Sequence, residues 1–202
     1  MTQRTPSAGP LEPEGDLELL EISDVDLAGQ DARHARFDEC LLRAVGLDGV
    51  RLDHAHMLDT RFEACHAGEL HLVGATLTRV DLEGCRLGAV QAYDAEGAHL
   101  TLRGGKVDYL NLRGARLTDV LLEGCVLGEL DLGGAEVRRL VVRDCRVGRL
   151  DVTRASLTDV DLRGADLAAI DGLAGLRGAT VSEEQLVELA PALAAHVGLT
   201  VR

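Results

Sequence analysis

The sequence predicts an all-β solenoid, wound into four-sided coils of twenty residues and closed at its C-terminal end by a short helix. Three observations predict it. Apolar residues recur at every fifth position from Leu17 to Leu167 without a slip, and 27 of these 31 positions are Leu, Ile, Val, Met or Phe. A second column, two residues earlier, alternates small and branched side chains with period ten; its small set then splits at period twenty into Ala35, Ala55, Ala75, Ala95, Ala115, Ala135 and Ala155 and into Cys65, Cys85, Cys125 and Cys145. Trp is absent and only two Phe and two Tyr are present, so the core is built from Leu, Val, Ala and Cys rather than from aromatic bulk.

A period of five belongs neither to a helix, at 3.6, nor to a simple strand, at 2. Four five-residue segments make four sides of one coil, and successive coils stack through parallel β-type hydrogen bonds ~4.8 Å apart. Two residues in five then point inward, and each residue lies above the one twenty places earlier. Columns of Ala or Cys on one side and of branched side chains on the next fill a narrow interior at close packing. The stretches LTRVDLEGCRLG (77–88), LTDVLLEGCVLG (117–128) and LTDVDLRGADLA (157–168) recur every forty residues, which is two coils.

Three segments follow. Residues 1–11 read as a mobile tail, 12–172 as the β-helix, and 173–202 as a helical cap. Within the body, the coil from about 90 to 109 is weak: Ala92, Gly97 and Gly105 stand where bulkier inward residues are expected, which predicts a locally thinner coil. Tyr93 and Tyr109 point outward beside it and offer a contact patch, since Tyr is enriched in interfaces. At the C-terminal end, Ser182 and Gln185 form a capping box. Leu186, Leu189, Leu193 and Val197 make an apolar stripe at helical spacing, followed by Leu199 and Val201. Pro191 is expected to kink or split this helix, and Gly198 to stop it.

The five cysteines are an odd number with no C-x-x-C spacing, and they read as buried free thiols acting as small hydrophobes. No P-loop, dinucleotide fingerprint or zinc-protease motif is present. His34 and His54 stack on one outer column, but Gly74 follows them, so a metal site is not expected. A convex rod offers no water-excluding cleft in which to tune carboxylates, so neither catalysis nor a cofactor is expected. The first fifteen residues lack an apolar signal region and no run is long enough to span a bilayer, which places the expected chain in the cytoplasm, off the membrane.

The patterns Ala165-Asp166-Leu167, Leu110-Asn111-Leu112 and Leu130-Asp131-Leu132, set in about thirty consecutive units, resemble the pentapeptide-repeat family over roughly residues 17–170. The resemblance implies a right-handed quadrilateral parallel β-helix. It also implies a C-terminal helical element that pairs two chains tail to tail, here through Leu186, Leu189, Leu193, Val197 and Leu199. Members of that family protect type II DNA topoisomerases, gyrase and topoisomerase IV, from quinolones or toxins, and resemble DNA in width, charge and length. With no loop breaking the repeat from 17 to 167, such activity follows the loop-free, mycobacterial-type members. The alternative is an interaction scaffold for an unrelated protein.

Charge bears on that choice. The net is −13; residues 1–31 carry eight acids and one base, whereas 32–170 carry 22 acids and 18 bases. Duplex DNA as long as that body, ~33 Å at ~4.8 Å per coil, carries about 20 negative charges, so charge mimicry along the whole length is not expected. Partner candidates are therefore the acidic first coil (Glu18, Glu21, Asp24, Asp26), the tyrosines, and an arginine-rich span (Arg138, Arg139, Arg143, Arg146, Arg149). Direct nucleic-acid binding lacks an extended basic groove.

Overall fold

The computed structural model describes residues 4–7 and 9–200. It is a four-sided parallel β-solenoid of about eight coils with one C-terminal helix. Strands pair with those twenty residues on: Asp16–Glu18 with Arg36–Asp38, Thr76–Glu83 with Glu96–Arg103, and Arg116–Glu123 with the start of Glu136–Asp151. Both apolar columns face inward and merge into one core running from Leu11 to Ala165. Aromatic bulk enters it only at Phe37 and Phe62, in the early coils.

The corners explain why five residues suffice for a side. At positions 14, 19, 24 and onward in steps of five, the backbone turns through the left-handed region, at seventeen non-glycine residues such as Asp24, His34, Asp59 and Asp119 and at eight glycines from Gly29 to Gly134. Gly, Asp and His tolerate that region better than most residues. One corner differs. At 69, 89, 109, 129 and 149 the chain runs through as strand, so His66–His71, Arg86–Gln91, Lys106–Asn111 and Val126–Asp131 each bridge two sides.

Both ends depart from the twenty-residue register. Thr5–Ser7 lies in the stretch expected as a tail, yet it pairs with Leu20–Ser23 only fifteen residues on, one side short of a coil. Leu11 is buried, and its N–H donates to Gln30 Oε1. Residues 1–3 and 8 of that segment lie outside the described residues. At the other end the repeat outlasts the expected boundary at 172. After a 3-10 turn at Leu173–Leu176, Ala179–Thr180 rejoins the ladder beside Val160 and Asp161 at an offset of nineteen.

The helix Glu183–His196 starts at the expected capping box. Ser182 Oγ accepts from the Gln185 N–H at 3.1 Å, and Gln185 Oε1 accepts from the Ser182 N–H at 2.8 Å. It ends as expected at Gly198, with φ +79° and with the 198 and 199 amides closing back on Ala195 and Ala194. Pro191 does not break it. The carbonyl Pro191 leaves without a donor is that of Val187, an exposed residue whose carbonyl needs no partner within the protein. Val201 lies outside the described residues.

The coil at 90–109 is not thinner. Its strands keep the register of twenty to the coils on both sides, so backbone hydrogen bonds fix the perimeter. The missing side chains instead leave an internal void of ≈ 90 Å³. Gly105 has a separate reason: with φ +81°, a Cβ there would stand 2.2 Å from the Cys85 carbonyl oxygen, so the cysteine column cannot continue at that point.

Candidate functional site

The cysteines take no part in surface chemistry. All five are free and buried. The Cys85 thiol lies 3.6 Å from the Phe62 carbonyl oxygen, to which it donates. The hydrogen bond shared with Cys65, and burial, push this thiol well above its ordinary value, away from the reactive thiolate.

The rod surface is laced by ion pairs between vertical neighbours. Arg43 bonds Glu63 at 3.0 Å and Glu21 at 3.2 Å, Arg79 bonds Asp59 at 2.5 Å, and Arg103 and Arg143 share Glu123. Arg116 pairs with Glu96. These pairs are solvated, and ion pairs so exposed add little to stability. Their main effect is to neutralise the middle of the rod.

That neutralisation decides among the candidate surfaces. The arginine span does not form a basic patch. Successive residues turn with the coil, so Arg138, Arg139, Arg143, Arg146 and Arg149 are spread around several sides. Four are also paired, Arg139 with Asp119, Arg143 with Glu123, Arg146 with Asp166 and Arg149 with Asp171. Arg138 makes no ion pair among the described residues. The tyrosines separate as well. Tyr93 stands on the surface, 39% exposed, whereas Tyr109 is half-buried and donates its hydroxyl to Asp131 Oδ2 at 3.2 Å.

Asp131 anchors a polar cluster that the repeat pattern did not single out. It is 4% exposed, and it accepts from the Gly133 N–H, the Tyr109 hydroxyl and Arg113 Nη1. Arg113 also reaches Asp151 at 3.6 Å. Gly133 makes room for this, because a Cβ there would stand 2.7 Å from the guanidinium. Both oxygens of the buried carboxylate have hydrogen-bond partners, which is what burial of a charge requires. The visible signal is the run Asn111, Asp131, Asp151, Asp171 in one outer column.

The first coil is different. Glu18, Asp24 and Asp26 are exposed and make no ion pair among the described residues, as are Glu12, Glu14 and Asp16; Glu21 is held by Arg43. Glu18, Glu21, Asp24 and Asp26 occupy about two of the four sides of the first coil, and Glu12, Glu14 and Asp16 extend this acidic belt back along the chain. His34 and His54 sit just above with rings stacked 5.1 Å apart.

At the C-terminal end, Gln185 plugs the last coil. It stands twenty residues after Ala165, in the same inward column, and Nε2 donates to the carbonyls of Ala165 and Leu162 at 2.6 and 2.7 Å. The helix is otherwise loosely seated, with a cleft of ≈ 310 Å³ between it and residues 167–170. Leu189 and Leu193 are half-buried, whereas Leu186, Val197 and Leu199 are 51%, 66% and 65% exposed. The stripe is thus divided, with Leu189 and Leu193 toward the rod and Leu186, Val197 and Leu199 toward solvent. No helix among the described residues is long and apolar enough to cross a membrane.

A repeat solenoid with a neutralised body and two distinctive ends belongs to the class of quasi-one-dimensional proteins in which each coil contacts only its neighbours. A model of the family described as pentapeptide repeats matches residues 21–57, in eight copies, so this part of the chain is similar to the pentapeptide-repeat proteins. No curated protein matches it. Among solved structures, a trypsin-treated variant of QnrB1, a plasmid-mediated fluoroquinolone resistance protein, aligns at 16% identity with TM-score 0.30, covering 93% of this chain and 100% of that one. Full-length QnrB1 aligns at 14% identity with TM-score 0.24, covering 90% and 91%. Likeness at this level decides nothing about activity.

Proposed function

We propose that the chain is a non-catalytic protein-binding rod that pairs tail to tail through its C-terminal helix and presents its acidic N-terminal ends to a type II DNA topoisomerase. The observation that carries this reading is the acidic belt on the first coil, where Glu18, Asp24 and Asp26 make no ion pair among the described residues, whereas most of the body's bases are paired. Uncompensated charge concentrated at one end steers association with a basic partner surface. The exposed Leu186, Val197 and Leu199 supply the apolar face for the homodimer. Dimerisation places the two acidic ends at opposite tips of one longer rod. The resemblance to family members that protect topoisomerases supplies the partner class; charge along the body does not, because the ion pairs cancel it.

A second reading, a scaffold for an unrelated protein, is favoured by Tyr93, an aromatic side chain exposed on the body of the rod. A gyrase supercoiling assay with and without a quinolone separates the two. Protection or inhibition is expected from the first reading. Neither effect at tens of micromolar protein would leave the scaffold reading standing alone.

A further inference from the structure

The void inside the coil at 90–109 is separate from the acidic first coil and the C-terminal helix. It comes from two absences. Ala92 stands in a column with Leu52, Leu72, Leu112 and Leu132, and Gly97 stacks between Leu77 and Leu117. Relative to leucine, three carbons are missing at 92 and four at 97. Methyl carbons of Leu100 and Leu117 lean to within 2.6 and 3.0 Å of where a Cβ of residue 97 would stand, and so close that gap. The gap at Ala92 stays open, and ≈ 90 Å³ remains among Leu72, Leu87, Leu102, Leu112 and Leu122.

The chemistry of the walls is uniform. Every lining residue belongs to an inward apolar column except Thr101, and no charged side chain lines the void. A water inside would lack the two to four polar partners it needs. Leu82, Leu100, Leu110 and Leu112, all in inward columns, are only half-buried, and all four line this space.

We propose that this void is a binding site for one small apolar molecule, in the size range from xenon to benzene. A preformed dry cavity gains dispersion contacts when filled and gives up no ordered water. Polar or charged molecules of the same size lose their hydration with no partner in return.

Benzene titrated into the full chain carrying ¹³C-labelled leucine methyls tests the proposal. The expected result is a saturable, one-site shift confined to methyls lining the void, and its loss in Ala92→Leu. No saturable shift in the unmodified chain, or the same shift in a folded Ala92→Leu, overturns the site. If Ala92→Leu does not fold, Ala92→Val serves: affinity at least tenfold weaker is expected, and unchanged affinity overturns the site.

Discussion

Ala92→Leu should stabilise the protein. The void it would fill is ≈ 90 Å³. At ~24 cal/mol per Å³ of cavity this corresponds to about 2 kcal/mol. The three added carbons, at ~0.8 kcal/mol each, give about 2.4 kcal/mol, so the two routes agree. For a chain of this size, that raises Tm by about 4–8 °C. Urea unfolding should show a higher midpoint with an unchanged slope, and calorimetry should show the shift directly. Ala135→Leu is the control, at a fully buried small-column position that does not line this void. It should destabilise by about 1–3 kcal/mol through overpacking. Equal destabilisation by both substitutions would refute the reasoning, because it would mean that the coil at 92 is as tightly closed as its neighbours.

Three further outcomes are expected. Gln185→Ala removes the plug from the last coil and leaves the carbonyls of Leu162 and Ala165 without their donor. A loss of about 1–3 kcal/mol is expected, seen as faster amide exchange confined to the last coil and helix; unchanged exchange there argues against the plug. The Arg163 side chain and N–H hold the Asp161 carboxyl at about 2, and Arg33 does the same for Asp31. Both carboxylates are charged more readily in the folded chain than in the unfolded one, near 3.9. Their contribution is therefore present above pH ~4 and is lost as pH falls toward 2; carboxyl NMR titrations with midpoints near 4 would contradict the pairs. Leu186→Glu with Val197→Glu places charge on the exposed stripe while leaving Leu189 and Leu193 on the rod. Light scattering should show the mass halve, and an unchanged dimer mass would refute the interface.

Most of the core was legible because one rule governs it. Stacking at twenty residues means that Cys85, Ala115 or Leu130 is placed by its number alone, and the capping box at Ser182 and Gln185 is a local signal independent of the rod. Other features were harder to see, for distinct physical reasons. The left-handed corners were only partly written in the sequence, as Gly, Asp or His at many of the corner positions but Leu19, Ala44, Ala64 or Arg79 at others, in an outward column that carries no hydrophobic signal. Ala92 and Gly97 were visible as gaps; whether a gap collapses or stays open depends on backbone hydrogen bonds to both neighbouring coils, which hold the perimeter. Gln185 has two tasks, helix capping and plugging the coil, and only the first is local. The arginines from 138 to 149 look like a patch in one dimension, yet a coil that turns every five residues disperses them. The converse holds for Asp131, Tyr109 and Arg113, distant in sequence and joined by stacking.

Binding of the full chain to purified gyrase, at low and at physiological salt, tests the proposed function most directly, with a Glu18→Lys, Asp24→Lys, Asp26→Lys variant alongside. Saturable binding that weakens as salt rises, and that falls at least tenfold in the variant, is the expected result. No saturable binding, or equal binding by the variant, would contradict the assignment of the acidic end as the partner surface.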